Sequence, residues 1–244
     1  MKCLIIAAGQ GSRLQEKGPS KPLTVLAGAP ILEHVIRAAR EGGVREFFVV
    51  TGYRGQSVRQ FLDQFSRQHH VRINHIINED WRMANGISVL KAKELLDEQF
   101  LLLMADHLFD PQIVKDLIQV RRRDLVLSVD RRLDNPLIDL SDVTKVRSEQ
   151  GRIQAIGKEL VEYDAYDTGI FMMTPRIFGA LEDSRRLDND ESLSGGVRRI
   201  AARDGAWVHD IHGRFWIDVD DPVAYDKASI YLERQCVTSG TVVA

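Results

Sequence analysis

The stretch that decides the fold is KCLIIAAGQGSRL, residues 2–14. The continuous apolar run from Cys3 to Ala8 is typical of a strand at the buried centre of a parallel sheet. The run ends at two glycines, which allow close approach of the backbone to a ligand, so that loop N–H groups can line an anion-binding concavity. The stretch therefore predicts a central strand that leads into an anion-binding loop.

Downstream of this loop the first half of the chain alternates between strand and helix patterns. Further strands are predicted at Glu46–Thr51, Val71–Ile77 and Phe100–Ala105. Helices are predicted from Pro30 to the glycine pair at 42–43, along the apolar positions Val58, Phe61, Leu62 and Phe65, and at Gly86–Asp97. Alternation of this kind indicates βαβ units and a parallel sheet.

The second half is richer in strands. It predicts a hairpin of Val143–Arg147 with Ile153–Gly157, then strands at Tyr166–Met173, Trp207–Ile211 and Phe215–Val219, a helix around Val197–Arg203, and a last helix from Pro222. The predicted fold class is α/β: a Rossmann-like mixed, mostly parallel sheet flanked by helices, with a smaller β-rich part.

Composition excludes several classes of function. Of 244 residues, 44% are hydrophobic and 28% are charged, and the net charge of -2 provides no overall attraction for nucleic acid or for an anionic membrane. The two cysteines, Cys3 and Cys236, lie near opposite ends of the chain and form no metal-binding pattern. A disulfide between them is not expected, which favours a reducing compartment. Since no apolar run approaches the roughly 20 residues needed to cross a bilayer, we expect a soluble, cytoplasmic protein.

Two cations accompany the glycine loop. Arg13 and Lys21 would place positive charge where a polyphosphate lies. Leu14 makes the G-x-G-x-x-G motif incomplete, which disfavours a dinucleotide-dependent dehydrogenase, and no Walker motif follows. A tight turn carrying two surface cations is the alternative interpretation.

Carboxylates occur at two further strand ends. Asp106 follows a central strand, where open α/β sheets bind ligands, and Asp218 and Asp220 would share one face of an extended segment. Such hard oxygen ligands suit Mg²⁺. The alternative role is helix capping, for which Asp110 and Asp221 are better placed.

The A-A-G-x-G-(S/T)-R segment followed by K-P-L resembles the signature of the sugar-nucleotidyltransferase-like family. The resemblance implies that the nucleoside triphosphate is bound by Ala7, Ala8, Gly9, Gly11, Ser12, Arg13 and Lys21. It also implies Mg²⁺ ligation by Asp106 and Asp220, with Asp218 as a supporting residue or as the ligand instead. Catalysis is assigned to Arg13, Lys21 and Asp106. One departure is the long loop before Pro19-Ser20-Lys21, where many relatives have a compact P-K-P.

Other segments are similar to cytidylyltransferases that act on inositol 1-phosphate, notably the segments 143–146, 151–152, 156–158 and 167–171. By this resemblance, Asn85, Gly86 and Ser88 contact the base and ribose of the nucleotide. Acceptor binding is assigned to Lys158, Asp167, Thr168 and Gly169. Lys158 would contact the acceptor phosphate; the alternative is a solvent-exposed lysine after a hairpin.

The resemblance implies a nucleotidyltransferase domain over residues 1–235, with an NTP-binding half at 1–120, an acceptor-binding half at 121–235, and a tail or linker at 236–244. The expected partners are CTP and a small phosphorylated acceptor, with Mg²⁺ as cofactor and no nucleic acid. Relatives are often fused to a membrane CDP-alcohol phosphotransferase of phospholipid biosynthesis, so fusion or contact with such a domain is implied.

Several alternatives remain open from the sequence. The acceptor could be phosphocholine, an aminoalkyl phosphonate, or a sugar 1-phosphate used with another NTP. A cationic acceptor needs an aromatic or acidic cage, for which the sequence offers Tyr163, Asp164, Tyr166 and Asp167. A nucleotide-binding regulatory protein is disfavoured because the set Arg13, Lys21, Asp106 and Asp220 is intact.

Overall fold

A computed structural model describes residues 1–18 and 20–238 of the protein. The strands are β1 Lys2–Ala7, β2 Val25–Leu26, β3 Ala29–Pro30, β4 Glu46–Thr51, β5 Arg72–Ile77, β6 Phe100–Met104, β7 His107–Phe109, β8 Leu125–Asp130, β9 Lys145–Glu149, β10 Arg152–Gly157, β11 Ala165–Met173, β12 Ala206–Asp210 and β13 Trp216–Asp218. The α-helices are α1 Ile31–Glu41, α2 Gly55–His69, α3 Asn85–Leu90, α4 Pro111–Gln119, α5 Arg176–Asp188, α6 Leu193–Ala201 and α7 Pro222–Thr238. Short 3₁₀ helices occur at Ser12–Lys17 and Lys21–Leu23.

One large sheet organises the fold, with strand order β5-β4-β1-β6-β11-β8-β12-β10-β9. Strands β5, β4, β1 and β6 run parallel, and β11 joins β6 in the antiparallel direction. At the far side β9 also pairs with the start of β11, so the β-rich half curls back onto the sheet. A separate ribbon pairs β7 with β13 and places Asp218 opposite His107.

The core lies on both faces of this sheet. Along β1, Cys3 and Ile5 pack with α1, α2 and α4, whereas Leu4 packs on the other face with α5 and α6. Successive side chains of a strand point to opposite faces, so an apolar run is what a strand covered on both sides requires. Cys3 is fully buried in the core, as the sequence predicts.

The predicted α/β fold with a mixed sheet flanked by helices is confirmed. The prediction of a helix over Gly86–Asp97 was wrong in length, because α3 ends at Leu90 and turns continue to residue 95. There the backbone tightens into i→i+3 bonds, such as Ala92 N to Val89 O at 3.0 Å, which still bury Ala92 in the core. The strand β8 and the helix α5 were not predicted.

The predicted helix caps are present. The side chain of Asp110 accepts a hydrogen bond from Gln112 N at 2.8 Å, at the start of α4. Asp221 likewise accepts from Ala224 N at 2.7 Å, beside the start of α7. These two carboxylates therefore satisfy helix N–H groups.

Helix α7 runs to Thr238, and residues 239–244 of the predicted tail lie outside the described part of the chain. Among the helices of residues 1–18 and 20–238, none combines the length and apolar character of a membrane-spanning segment.

Candidate active site

The glycine loop brings Lys21 against the end of β1. Gly11 has φ +59°, and a Cβ at this position would lie 2.4 Å from Cβ of Lys21, so only glycine allows this approach. A Cβ on Gly9 would meet nothing within 4 Å, which leaves one side of this loop open to a ligand. Ala7 and Ala8 are buried at the strand end, and Ser12 is exposed at the start of the following 3₁₀ helix.

Lys21 lies between two carboxylates. Its Nζ is 2.5 Å from Oδ2 of Asp106 and 3.7 Å from Oδ1 of Asp218, and its side chain is only 10% exposed. Burial lowers the pKa of Lys21, but the attraction of Asp106 and Asp218 outweighs burial, so the net shift of the pKa is upward. The ammonium group therefore stays charged beside the acidic cluster.

Arg13 contacts a second pair of carboxylates. Its Nη2 lies 2.6 Å from Oδ2 of Asp142 and contacts Asp220. Asp142 in turn contacts the ammonium group of Lys158 through its other oxygen, Oδ1. Burial raises the pKa of Asp142, but hydrogen bonds from Lys158 and Arg13 hold this pKa well below its usual range. The Asp142 carboxylate thus bridges Arg13 and Lys158, two of the three predicted phosphate-binding cations.

His107 connects the acidic cluster to strand β11. Its Nδ1 lies 2.8 Å from the carbonyl oxygen of Thr168, and its Nε2 lies 3.4 Å from Oδ2 of Asp218. Burial lowers the pKa of His107, but Asp218 and Asp106 raise it to about 10. Burial raises the pKa of Asp218, but the charge of protonated His107 and its hydrogen bond lower it more, so this pKa falls to about 2.

The pKa of Asp220 moves in the opposite direction, to about 7. Burial is the largest cause, and the neighbouring charge of Asp218 adds to it. Two carboxylates this close cannot both ionise without cost unless a cation joins them.

The acidic side chains fit a divalent cation. Their ligand atoms form two groups within 4.8 Å, Asp106 with His107 and Asp218, and Asp142 with Asp218 and Asp220. Within the described residues, the buried Oδ1 of Asp218 has no hydrogen-bond partner, although Lys21 lies nearby. Carboxylate oxygens are the ligands that Mg²⁺ prefers. Asp218 belongs to both groups, whereas neither group contains both predicted ligands, Asp106 and Asp220.

A cleft of about 620 Å³ opens beside these carboxylates. Three of the predicted acceptor residues, Lys158, Asp167 and Gly169, line it. Their contact with an acceptor stays a prediction. Thr168 is different, because its hydroxyl is buried and donates to the carbonyl oxygen of Ser128 at 2.8 Å. Thr168 therefore contributes its backbone to the site through His107.

One wall of the cleft is apolar, formed by Leu137, Ile138, Leu140, Val143, Val223 and Ala224. The predicted aromatic and acidic cage does not form here. Asp164 is bound by Arg131 at 2.5 Å and by Ser148, and the hydroxyl of the buried Tyr166 donates to Leu133 O at 3.1 Å. Of the four cage candidates only Asp167 lines the cleft.

The predicted base and ribose residues differ in their placement, and neither Gly86 nor Ser88 lines the cleft. Asn85 lines it, and its Oδ1 accepts a hydrogen bond from Leu193 N at 2.8 Å. Gly86 packs so closely that a Cβ would lie 2.4 Å from the carbonyl oxygen of Glu191. Ser88 is buried, with its hydroxyl 2.9 Å from Nδ2 of Asn78. Their contact with a nucleotide stays a prediction.

Sequence reasoning missed Asp142 and His107. Both flank recognised segments, since His107 follows Asp106 and Asp142 precedes the Val143–Val146 segment. Their main partners, Asp218 and Thr168 for His107 and Arg13 for Asp142, lie far away in the sequence, so no local spacing indicates them.

Comparison with known proteins identifies the family of this chain. The family model of the MobA-like NTP transferase domain matches residues 3–160. The "Bifunctional IPC transferase and DIPP synthase" of Rubrobacter xylanophilus is 38% identical over 223 residues, which cover 89% of this chain and 49% of that protein. The protein of the same name from Thermococcus kodakarensis is 33% identical, with 97% of this chain and 51% of that protein covered. The chain thus spans about half the length of these curated relatives.

A solved structure shares the fold. The inositol-1-phosphate CTP transferase from T. maritima superimposes with a TM-score of 0.82 at 24% identity, covering 93% of this chain and 94% of that chain.

Proposed function

This chain belongs to the family of MobA-like NTP transferase domains, and on that premise we propose that it is a Mg²⁺-dependent cytidylyltransferase. It transfers CMP from CTP to a small phosphorylated alcohol, with inositol 1-phosphate as the first candidate, and the products are CDP-inositol and pyrophosphate. The names of the relatives from R. xylanophilus and T. kodakarensis, and of the T. maritima structure, support this choice.

In this reaction an oxygen of the acceptor phosphate forms a bond to the α-phosphorus of CTP. The bond from the α-phosphorus to the bridging oxygen breaks, and the electron pair leaves with pyrophosphate. A phosphate monoester is ionised near neutral pH, so no general base is needed. The protein must therefore supply position and charge neutralisation.

Asp106, Asp218 and Asp220 are the residues that would hold Mg²⁺. When bound, the ion supplies Lewis-acid stabilisation of phosphate oxygens. Lys21 and Arg13 lie beside these carboxylates, within reach of the open glycine loop, and stabilise negative charge that develops on the α-phosphate and on pyrophosphate.

The acceptor enters the cleft on the side of β11. Lys158 is the cation that binds its phosphate, and Asp167 presents a carboxylate to its hydroxyl groups. One oxygen of Asp167 is held by Gly169 N at 2.7 Å, so the side chain is oriented before an acceptor arrives.

The observation that carries the proposal is the position of Lys21, whose Nζ bridges Asp106 and Asp218 behind the glycine loop. Polyphosphate chemistry requires positive charge and metal ligands beside the loop. Here Lys21 supplies the charge, and the two carboxylates that it contacts supply the metal ligands.

The test is pyrophosphate release with each of four NTPs against a panel of phosphorylated acceptors. The panel holds inositol 1-phosphate, phosphocholine, an aminoalkyl phosphonate and a sugar 1-phosphate. We expect release with CTP and inositol 1-phosphate, and none with the Asp106→Asn variant. Activity confined to UTP and a sugar 1-phosphate would refute the cytidylyltransferase assignment, and no release with any pair would refute transferase activity.

The curated relatives are named for two activities and are about twice as long as this chain. This supports our proposal that the domain works in the cytoplasm, in fusion or contact with a membrane CDP-alcohol phosphotransferase of phospholipid biosynthesis. Cofractionation of the native protein with membranes that convert the CDP-alcohol tests this arrangement.

A further inference from the structure

The carboxylate of Asp142 binds two cations at once. Its Oδ2 lies 2.6 Å from Nη2 of Arg13, and its Oδ1 contacts Nζ of Lys158. One oxygen thus serves each cation, which is how a bound phosphate would bridge them. The proposed function assigns Arg13 to the phosphates of CTP and Lys158 to the acceptor phosphate.

The backbone around Asp142 is fixed by its own turn. Asp139 O accepts hydrogen bonds from Asp142 N at 3.2 Å and from Val143 N at 2.9 Å. The side chain of Asp139 points into this turn and accepts from Ser141 N at 2.9 Å. Asp142 is therefore presented to the two cations by a closed turn.

The two cations remain accessible beside this carboxylate. The side chains of Arg13 and Lys158 are 52% and 53% exposed, whereas that of Asp142 is 25% exposed. A phosphate can therefore approach both cations from solvent, and it meets the Asp142 carboxylate already bound to them.

We propose that Asp142 is a positioning residue that holds Arg13 and Lys158 together and competes with substrate phosphate for both. This inference rests on the proposed function, because it takes these two cations as the ligands of the reacting phosphates. Holding two long side chains in one place reduces the entropy lost when phosphates bind. The competing carboxylate, with Asp220 close by, weakens phosphate binding, so that products also leave more readily.

Competition predicts a gain of affinity when the charge is removed. We expect Asp142→Asn to bind methyl phosphate roughly three- to tenfold more tightly than the wild-type protein, since partly exposed ion pairs of this kind contribute modestly. Dissociation constants are measured by ¹⁵N chemical-shift titration in EDTA, so neither metal binding nor turnover affects the result. The matched control is Asp183→Asn, because Asp183 also pairs with two cations, Arg186 at 2.9 Å and Arg203 at 3.6 Å, but does not line the cleft. Its affinity for methyl phosphate should be unchanged.

A second pair of variants tests whether the gain in affinity depends on Lys158. In a Lys158→Ala background, Asp142→Asn should produce a smaller gain, because one of the two contested cations is gone. During turnover, Asp142→Asn should lower both the KM for the acceptor and kcat, a split that a merely structural residue would not produce.

Equal or weaker binding of methyl phosphate by Asp142→Asn, or no detectable binding by any variant, would overturn the proposal. So would a gain that is the same with and without Lys158. Failure of CTP-dependent pyrophosphate release together with the expected gain in binding would refute the proposed reaction and leave the competition intact.

Discussion

His107 occupies the space that a side chain at position 169 would need. A Cβ built on Gly169 would lie 2.4 Å from Nδ1 of His107, and the backbone of Gly169 has φ +74°. The same nitrogen lies 2.8 Å from the carbonyl oxygen of Thr168. His107 thereby joins the irregular part of strand β11 that lines the cleft to the edge that carries Asp218.

Gly169→Ala should therefore destabilise the protein and disturb the site. We expect a loss of about 2 kcal/mol in the free energy of unfolding, from the left-handed backbone and the overlap with His107. The acceptor KM should rise as well. Urea unfolding and acceptor kinetics measure the two effects.

The control is Gly179→Ala in helix α5, where a Cβ would meet nothing within 4 Å. It should be neutral or stabilising by up to about 1 kcal/mol. Equal stability of the two variants would contradict the role of the contact between Gly169 and His107.

Asp218→Asn should be as damaging as Asp106→Asn or Asp220→Asn. The resemblance leaves Asp218 as a supporting residue or as the ligand instead of Asp220, but in the structure Asp218 belongs to both groups of ligand atoms. We expect each variant to lose roughly 10²-fold or more in kcat. Mg²⁺ titration of turnover and Mn²⁺ binding by electron paramagnetic resonance measure the loss.

The matched control is Asp110→Asn, since Asp110 caps helix α4 after the ribbon strand β7. It should change Mg²⁺ dependence little. Near-normal turnover of Asp218→Asn at saturating Mg²⁺ would make Asp218 a supporting residue only.

Arg13→Ala and Lys21→Ala should each lower kcat by roughly 10²-fold or more, with a smaller change in the dissociation constant of CTP. Their positive charges neutralise the negative charge that accumulates on the phosphates in the transition state. Lys17→Ala provides the control, because Lys17 lies in the same loop but pairs with the exposed Asp226 at 3.4 Å. Steady-state kinetics and CTP titration separate the two effects. A raised KM for CTP with normal kcat would limit Arg13 or Lys21 to ground-state binding.

Lys158→Ala should raise the acceptor KM roughly tenfold and lower kcat, while CTP affinity stays nearly constant. The reason is the loss of a charged hydrogen bond to the acceptor phosphate. Lys93→Ala is the control, since Lys93 does not line the cleft and its Nζ lies 2.7 Å from Oε1 of Glu182. Unchanged acceptor kinetics in Lys158→Ala would return Lys158 to the role of a surface lysine.

Asp167 should make stability depend on pH. Burial raises the pKa of Asp167, whereas the hydrogen bond from Gly169 N and the charge of His107 lower it. The net result is a rise from 3.8 to about 6. Between about pH 4 and about pH 6 the folded protein binds more protons than the unfolded chain, so this group lowers stability as pH rises through that window. The total contribution is roughly 3 kcal/mol.

Asp167→Asn keeps the oxygen that accepts from Gly169 N but does not titrate. The unfolding free energy of this variant minus that of the wild-type protein should therefore increase from pH 4 to pH 7. Urea unfolding across this range measures the difference. A constant difference would mean that Asp167 titrates normally.

Local sequence rules predicted the elements that are defined by hydrophobic periodicity and by glycine or proline at their ends. The strand β1 and its glycine loop, the helix α1 bounded by Pro30 and Gly42, and the β9–β10 hairpin all follow from short-range patterns. These patterns succeed because side-chain periodicity and glycine conformation act within a few residues. The strand β8 escaped prediction because it follows three arginines and lacks turn signals of its own.

By itself the sequence determined an α/β fold, a glycine loop with Arg13 and Lys21 beside it, and strand-end carboxylates at Asp106, Asp218 and Asp220. Only the tertiary structure decided which of these groups meet. Arg13 contacts Asp142 across 129 residues and Asp220 across 207 residues of sequence. Such contacts depend on strand order and on the course of the loops, and these are settled by burial of both sheet faces rather than by local periodicity. The physical reason is that charge interactions act through space, whereas sequence patterns report only neighbours along the chain.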